Sequence, residues 1–459
     1  MALKTFGMIA AAAILATANA QASVSSGTPT SASLLAVSSP TWLASISAAT
    51  GLPSSVPTGA VPTGPLPSNV NFNASAYPEG WKTPPTNSPE VQAVIAALDW
   101  SKVPNATIHK AKANGDLDMT GYNENTDPYC WWSDTNCVQP KVDYLPTDIS
   151  YCPAKGDWGL TYDDGPFNPE DPSNPGASPW AEPNLYNFLA EHNQKATLFY
   201  IGSNVVGFPA AAQRAISDGL TICVHTWSHP QMTSMTNDQV VAEFYWTLRS
   251  IKEAAGITPR CWRPPYGDVD DRVRAIAWQM GMRTIIWDED TNDWNMPGDG
   301  GGNLPPATVD GYFQGWIDSY KNGTDNKHGH IVLEHELNNA TVSMAEKWLP
   351  QLQETFRVVP VHECMNISNP YWEENFVYPT EDNSTAPSAS GSSVSAAGLS
   401  TAAGSSAQPT VSTGSNDASD NSASGSSGSA PSGSASAAST YNLAFGSMVF
   451  TALVAVCFF

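Results

Sequence analysis

Between about residues 150 and 365 the sequence alternates short apolar runs with longer amphipathic segments, and this alternation limits the fold more than any other feature. The apolar runs, such as KATLFYIG and LTICVHT, are rich in β-branched and aromatic residues, which favours strands. The longest segment between them begins at Thr236, a helix-capping residue, and ends at Gly256. About seven such strand–helix units predict a parallel sheet covered by helices. We therefore expect an α/β fold, either a distorted (β/α) barrel of about seven units or an open doubly wound sheet.

Polar residues gather at the carboxyl ends of these predicted strands. Barrels and open α/β sheets both build their sites at that end of the strands. Structural polar residues scattered along the chain would not coincide with strand ends so regularly, so we expect one common site. The residues that follow successive strands are Asp163 and Asp164, His225 and His229, Arg263, Asp290, and His335.

His225 and His229 are four residues apart. On one turn of helix this spacing puts both imidazoles on one face, where they can bind one metal ion. A nearby carboxylate would complete a His₂Asp site with a position left open, which suits Zn²⁺ and also Co²⁺. Thr226 follows His225, so the H-E-x-x-H motif of metalloproteases is absent and that class is disfavoured. A general base would come from the aspartate pair instead.

Taken singly, these candidates also have ordinary structural explanations. Asp163 and Asp164 could belong to an ordinary Asp-Gly-Pro turn, and Arg263 could be an ordinary charged residue at the surface. The two prolines after Arg263 fix the local backbone, however, and preset N–H groups suit an oxyanion. His335 fits either a buried core histidine or a general acid that Asp290 orients.

Five motifs, in this order and spacing, resemble those of the polysaccharide deacetylases, which are carbohydrate esterase family 4 with the NodB-homology fold: TYDDG, HTWSH, RPPYG, DTNDW and LEH. The resemblance covers residues 150–365 and implies a distorted (β/α) barrel. It also implies an enzyme with one divalent metal, Zn²⁺ or Co²⁺, that hydrolyses the N-acetyl groups of N-acetylglucosamine polymers such as chitin and gives chitosan and acetate. Every motif position that carries chemistry is filled, so an inactive relative is disfavoured.

The resemblance further implies a role for each motif residue. Asp164, His225 and His229 would hold the metal. Asp163 would be the general base that takes a proton from the attacking water, and His335 would be the general acid. Arg263 would orient the base, and Asp290 would orient the acid. The backbone N–H of Tyr266 would face the oxyanion. Trp294 and Leu333, which could otherwise be ordinary core residues, would line the acetyl pocket.

The two ends of the chain predict secretion and anchoring. Residues 1–20 have a positive start, an apolar run and an A-x-A end, as in a signal peptide. The last residues form an apolar tail after small residues and a polar spacer, which predicts a GPI anchor at or near Ser432 and a removed propeptide, 433–459. A plain tail anchor is the less favoured alternative.

Composition divides the rest of the chain. Residues 21–90 are rich in Ser, Thr, Pro and Ala, and we expect a disordered segment there. Residues 366–432 are predicted to be a Ser/Gly/Ala-rich stalk, and residues 91–149 an extension that packs on the barrel. Sequons fit passage through the secretory route, and they lie at Asn73, Asn105, Asn322, Asn339, Asn366 and Asn383.

Six of the seven cysteines lie between the predicted tails, and Cys457 lies in the apolar tail. An even number in a secreted chain indicates disulfides. Sequence alone does not fix the pairing. We expect a local pair, a pair that ties the domain ends and a pair between neighbouring strands: Cys130–Cys137, Cys152–Cys364 and Cys223–Cys261.

The formal charge of −23, from 20 Lys+Arg against 43 Asp+Glu, argues against a nucleic-acid or anionic-membrane partner. The expected partners are chitin and a membrane reached through the GPI anchor, and cell-wall glucan could be a further one. We expect a monomer at the cell wall and the outer face of the plasma membrane. The competing functions are deacetylation of another glycan, acetylxylan esterase activity, and a structural wall protein or glycan-binding module that kept the fold.

Overall fold

The computed structural model describes residues 40–68, 70–112, 117–167, 178, 180–298 and 300–380. Several predicted features lie outside the described residues: the signal peptide, Asn383, the stalk beyond residue 380, Ser432 and the propeptide. Within the described part of the chain, every helix is too short or too polar to cross a lipid bilayer.

The described residues form one eight-stranded sheet in which neighbouring strands are parallel. The central strand β1 pairs with β2 and β7, and β8 pairs with the start of β1. The sheet order is β5-β4-β3-β2-β1-β7-β6. The strands are β1 (Asp157–Asp163), β2 (Thr197–Tyr200), β3 (Thr221–Val224), β4 (Cys261–Trp262), β5 (Arg283–Thr284), β6 (Glu289–Asp290), β7 (His330–His335) and β8 (Arg357–Val359).

Strands β5 and β6 stand at opposite ends of this order, yet they are two halves of one run, residues 283–290. β5 pairs with β4, and β6 pairs with β7. Between them Ile285 pairs with Ile149 of the preceding extension, which interrupts the predicted single strand. Because this run joins the two edges, the sheet closes into a distorted (β/α) barrel. The predicted barrel is confirmed, and the open doubly wound alternative is wrong.

Helices flank the strands along the chain as predicted. The longest has both expected ends: Thr236 and Gln239 form a capping box, and Gly256 ends the helix with φ of 76°. β8 ends at Val359 because Pro360 caps the start of a short helix. The helices are α1 (Pro89–Ala97), α2 (Trp132–Thr135), α3 (Asn184–Glu191), α4 (Gly202–Gly207), α5 (Pro209–Ser217), α6 (Asn237–Ala255), α7 (Asp271–Gln279), α8 (Pro306–Lys321), α9 (Asn339–Thr355) and α10 (Val361–Cys364).

All three expected disulfides are present, so the pairing is confirmed. Cys130–Cys137 closes a local loop of sequence separation 7. Cys152–Cys364 joins the chain before β1 to α10 over a separation of 212 residues. Cys223–Cys261 links β3 to β4. Disulfides therefore connect the beginning of the barrel domain to its end and also link two neighbouring strands.

The segment before α1 is ordered where the structure describes it, which corrects the predicted disorder of residues 21–90. Leu43 is 2% exposed and belongs to the main hydrophobic core. Trp42 packs against Tyr245 of α6 with ring centroids 5.7 Å apart, and Tyr77 donates a hydrogen bond to Glu253. The Ser/Thr/Pro-rich composition conceals these aromatic and aliphatic residues, whose burial offsets the cost of ordering the chain.

The beginning of the predicted stalk also belongs to the barrel, which corrects the boundary at residue 366. Tyr371 is 1% exposed, and its hydroxyl accepts a hydrogen bond from the Ile222 amide of β3 at 2.8 Å. Trp372 donates its amide to Thr258, and Phe376 and Tyr378 are buried. This aromatic cluster packs on the core, so residues 366–380 are not part of a stalk.

The sequon asparagines that the structure describes are all exposed, as attachment of a glycan requires. Glycosylation itself remains a prediction. These asparagines are Asn73, Asn105, Asn322, Asn339 and Asn366.

Candidate active site

The two adjacent aspartates at the end of β1 have different partners. Asp163 ends the strand, and its Oδ1 accepts a hydrogen bond from Nη1 of Arg263 at 2.7 Å. The same Nη1 donates to the Thr161 hydroxyl, and Arg263 is completely buried. Asp164 adopts a left-handed φ of 74°, which turns the chain sharply after the strand. Arg263 therefore holds Asp163 alone, whereas His225 Nε2 lies near both carboxylates, 3.7 Å from Asp163 Oδ2 and 3.5 Å from Asp164 Oδ1.

Asp164, His225 and His229 converge on one point. Asp164 Oδ1 lies 3.3 Å from His229 Nε2 and 3.5 Å from His225 Nε2. His225 Nδ1 lies 2.8 Å from the carbonyl oxygen of Arg263. A neutral His225 therefore donates from Nδ1 and keeps its lone pair on Nε2, which faces Asp164. Donor types and spacing make these three residues a candidate metal site.

The donor set fits a divalent metal on two grounds. Asp164 Oδ1 is buried and has no hydrogen-bond partner among the described residues, which is unusual for a carboxylate oxygen. Ligand distances of about 2.0–2.1 Å place the ligands of a tetrahedral ion roughly 3.3–3.5 Å from one another, as observed here. His₂Asp leaves one tetrahedral position open, as catalytic sites require.

The two histidines lie on a loop after β3, which corrects the helical explanation of their spacing. Thr226 has φ of 66° and His229 has φ of 57°, both in the left-handed region. The His229 amide donates to the Thr226 hydroxyl at 3.2 Å and so closes a tight turn. The turn brings the imidazole centroids to 5.0 Å. A loop held in a strained conformation, rather than a helix face, brings the two rings together.

Burial and charge set the protonation of these groups. Burial lowers the pKa of His229 to about 4, so its imidazole is neutral near pH 7 and able to bind a metal. Burial alone would raise the pKa of Asp164, but the neighbouring His229 and His225 hold it below its usual range. The site therefore offers an ionised carboxylate beside a neutral imidazole.

His335 ends β7, directly beside Asp163. In the β1–β7 register its partner is Asp163, so these two residues are at the same level on neighbouring strands. His335 Nδ1 lies 2.7 Å from Asp293 Oδ1. Burial would lower the pKa of His335, but Asp293 raises it to about 10. The imidazole is therefore protonated near pH 7.

The residue that orients His335 is Asp293, which corrects the prediction of Asp290. The β6–β7 register pairs Asp290 with Leu333, two residues before His335. Asp290 instead accepts the Asn292 amide at 2.7 Å and forms a turn that carries the chain on to Asp293. The sequence signal was present, since DTNDW contains two aspartates, but only the strand register distinguishes them.

The three predicted substrate contacts lie close to these groups along the chain. Tyr266 has φ of 58° and is 60% exposed, and its ring lies 4.6 Å from that of His229. Trp294 is 44% exposed and immediately follows Asp293. Leu333 is buried within β7, and its carbonyl oxygen accepts the Thr291 hydroxyl. Two of the three are therefore exposed aromatic residues, available to a ligand from outside.

A second histidine–carboxylate group, which the sequence did not reveal, lies at the beginning of β7. It contains Asp288, His328 and His330. His330 uses both ring nitrogens, at 2.8 Å from Asp288 Oδ2 and 3.0 Å from Asp325 Oδ2. Burial would lower the pKa of His330, but these carboxylates raise it to about 9. The ion pairs of His330 join the loop that contains Asp325 to the barrel.

Comparison with known proteins gives a consistent set of relatives. A family model described as polysaccharide deacetylase matches residues 150–285. A chitin deacetylase from Amylomyces rouxii is 44% identical over 333 residues, which cover 72% of this chain and 75% of the relative. Chitin deacetylase 2 from Cryptococcus neoformans var. grubii is 42% identical over 313 residues, covering 66% of this chain and 65% of that protein. The solved chitin deacetylase of Colletotrichum lindemuthianum aligns with 24% identity and a TM-score of 0.43 over 50% of this chain and 96% of that one.

Proposed function

Because the chain belongs to the polysaccharide deacetylase family, we propose that it hydrolyses the N-acetyl groups of N-acetylglucosamine units in chitin and releases acetate and chitosan. The observation that carries this proposal is the position of Asp163 and His335 as direct partners on β1 and β7, beside the Asp164–His225–His229 group. A base and an acid at one level on either side of a candidate metal site suit hydrolysis of an amide. The substrate class follows from the chitin deacetylases among the relatives.

The proposed cofactor is one divalent ion, Zn²⁺ or Co²⁺, held by Asp164, His225 and His229. When bound, such an ion supplies a Lewis acid that lowers the pKa of a water molecule and polarises the acetyl carbonyl group. Asp164 contributes negative charge, and His229 contributes a neutral nitrogen donor.

Asp163 is the proposed general base. Arg263 holds its Oδ1, and its Oδ2 lies 3.7 Å from His225 Nε2, on the side of the ligand group. The second oxygen therefore faces the place where the attacking water would sit and can take its proton. Arg263 fixes the orientation of the carboxylate, because the guanidinium also bonds Thr161 and the carbonyl oxygen of Ile286.

His335 is the proposed general acid. Its Nδ1 is engaged by Asp293, which leaves the Nε2 proton for the departing nitrogen of the sugar. An amine leaves poorly unless it is protonated, and the high pKa of His335 keeps this proton in place near pH 7. The Tyr266 backbone N–H is proposed to stabilise the oxyanion, and Trp294 and Leu333 to line the acetyl pocket.

We further propose that the protein acts in formation of the fungal cell wall, secreted and GPI-anchored at the outer face of the plasma membrane. The A-x-A end of residues 1–20 and the small residues around Ser432 support this location. We also propose that the protein is a monomer and that it contacts cell-wall glucan.

The deciding experiment is acetate release from defined chitin oligomers by the metal-loaded protein, with acetylated xylan as the alternative substrate. We expect release from chitin oligomers that stops when a chelator removes the metal and returns when Zn²⁺ or Co²⁺ is restored. Release from xylan alone would identify an acetylxylan esterase. Metal binding without turnover of either substrate would point to a wall protein that kept the fold.

A further inference from the structure

The loop between the two histidine ligands has no regular secondary structure of its own. It runs from His225 to His229, and both Thr226 and His229 have left-handed backbone angles. A residue other than glycine is strained in this conformation and keeps it only when its surroundings impose it. The conformation of this loop therefore has to be imposed by contacts from outside it.

One of these contacts comes from Glu243 in α6, a completely buried carboxylate. Its Oε2 accepts the Trp227 amide at 2.8 Å and the Ser228 amide at 2.9 Å. Its Oε1 accepts the Ser228 hydroxyl at 2.6 Å. Both residues lie between the histidines, so a single carboxylate binds the middle of the loop with three hydrogen bonds.

The carbonyl groups of the same loop are held from α4. The Gly202 amide donates to the Thr226 carbonyl at 2.8 Å, and the Ser203 hydroxyl donates to the Trp227 carbonyl at 2.8 Å. A Cβ on Gly202 would lie only 2.8 Å from the Trp227 ring, so this approach requires glycine. These anchors are neutral groups, whereas Glu243 offers an acceptor that can carry a charge. Hydrogen bonds to a charged acceptor are about twice as strong as those between neutral groups.

We propose that Glu243 is a positioning residue that fixes the separation of the His225 and His229 imidazoles before a metal binds. The Ser228 amide, which Glu243 holds, is adjacent to His229, and the His229 amide is bonded to Thr226. A displacement of residues 227 and 228 therefore moves one histidine ligand relative to the other. The inference rests on the proposed function, since it takes this loop to be the metal-binding loop.

The test compares metal affinity in Glu243→Ala and Glu243→Gln, measured by competition with a chelator of known affinity. Loss of a residue that orients metal ligands typically weakens affinity 10–100-fold, and we expect this for Glu243→Ala. Glu243→Gln should stay closer to the wild type, because an amide oxygen can still accept both backbone N–H groups. Asp238→Ala is the control: Asp238 is an exposed carboxylate of the same helix, and its loss should leave metal affinity unchanged.

Thermal unfolding of the metal-free proteins separates positioning from general stability. If Glu243→Ala is folded and binds Zn²⁺ as tightly as the wild type, the inference is wrong. If that variant does not fold, Glu243→Asp decides, since it keeps the charge but is one methylene too short to reach both amides; wild-type affinity in the folded Asp variant would likewise overturn the inference. A wild-type protein that binds metal but releases no acetate would contradict the proposed function alone.

Discussion

Asp293 holds His335 through both of its carboxylate oxygens, one at 2.7 Å from the ring Nδ1 and the other at 3.0 Å from the backbone nitrogen. The contact fixes the side chain and the main chain of His335 together. Asp293 is itself buried, so the interaction is little screened by water. The orientation of the proposed acid therefore depends on this aspartate.

Replacing Asp293 with Asn should lower the pKa of His335, because the charge that raises it is removed. A general acid works only while protonated, so activity falls as pH rises through its pKa. We expect the alkaline limb of the pH–rate profile of acetate release to move to lower pH, with a rate loss on the order of 10²-fold or more. Asp290→Asn should leave this limb in place, since Asp290 bonds Asn292. The opposite result would restore the sequence-based assignment.

Asp163→Asn should remove nearly all acetate release, by about 10²–10⁴-fold, because an amide cannot accept the proton of the attacking water. Metal content should stay at the wild-type level, since Asp163 is outside the proposed ligand set. Asp143→Asn, at an exposed position, is the control for a general effect of removing a carboxylate. Wild-type activity in Asp163→Asn would exclude it as the base.

Combined replacement His225→Ala and His229→Ala should abolish metal binding, measured as metal per chain after dialysis. His328→Ala removes a histidine from the second histidine–carboxylate group, and we expect it to retain the metal. This pair of results distinguishes the two groups. Metal retained in the double variant and lost in His328→Ala would place the ion at the beginning of β7 instead.

The ion pairs of His330 with Asp288 and Asp325 should make the free energy of unfolding depend on pH. Its pKa of about 9 in the folded chain exceeds the usual value of 6.5, so its contribution is complete below about pH 6.5 and is lost as pH rises through 9. The shift corresponds to a contribution to the free energy of unfolding of about 3 kcal/mol. Urea unfolding from pH 6 to pH 10 should show this decline in the wild type and a flatter profile in His330→Gln. Identical profiles for the two proteins would refute the assignment.

Removing the Cys152–Cys364 disulfide by double Ser substitution should destabilise the protein by about 2–5 kcal/mol, because the bridge restricts a long loop in the unfolded chain. The Cys130–Cys137 pair closes a much shorter loop, so its loss should cost less. Urea midpoints of the two double variants test the order. A larger effect from the short pair would show that contacts around it outweigh chain entropy.

Much of the barrel could be predicted because its signals are local. The ends of α6 were visible in Thr236 and Gly256, and each strand was a short apolar run. The site residues could be identified because parallel strands bring their carboxyl ends to one edge. The sequence did not identify Asp293 as the partner of His335, because this contact depends on the β6–β7 register, which is a non-local property.

The remaining errors also have physical causes. The spacing of His225 and His229 fits a helix equally well, and only the left-handed angles at Thr226 and His229 identify a loop. Composition averaged over residues 21–90 hides the buried Leu43 and its neighbour Trp42, which packs against Tyr245 of α6 far along the chain. Glu243 carried no signal at all, since a glutamate on a long helix is normally exposed.

The run 283–290, which closes the barrel, is also the piece of chain that leads to Asp293. The proposed metal ligands follow β1 and β3, which lie across the ring from the junction of β5 and β6. Detachment of β6 from β7 would separate the proposed acid from its aspartate, whereas the pairings of β1 and β3 with β2, next to the proposed ligand group, would be left intact. Acetate release should therefore report on an intact ring more sensitively than occupancy of the proposed metal site, and a damaged molecule would lose activity before it lost metal binding.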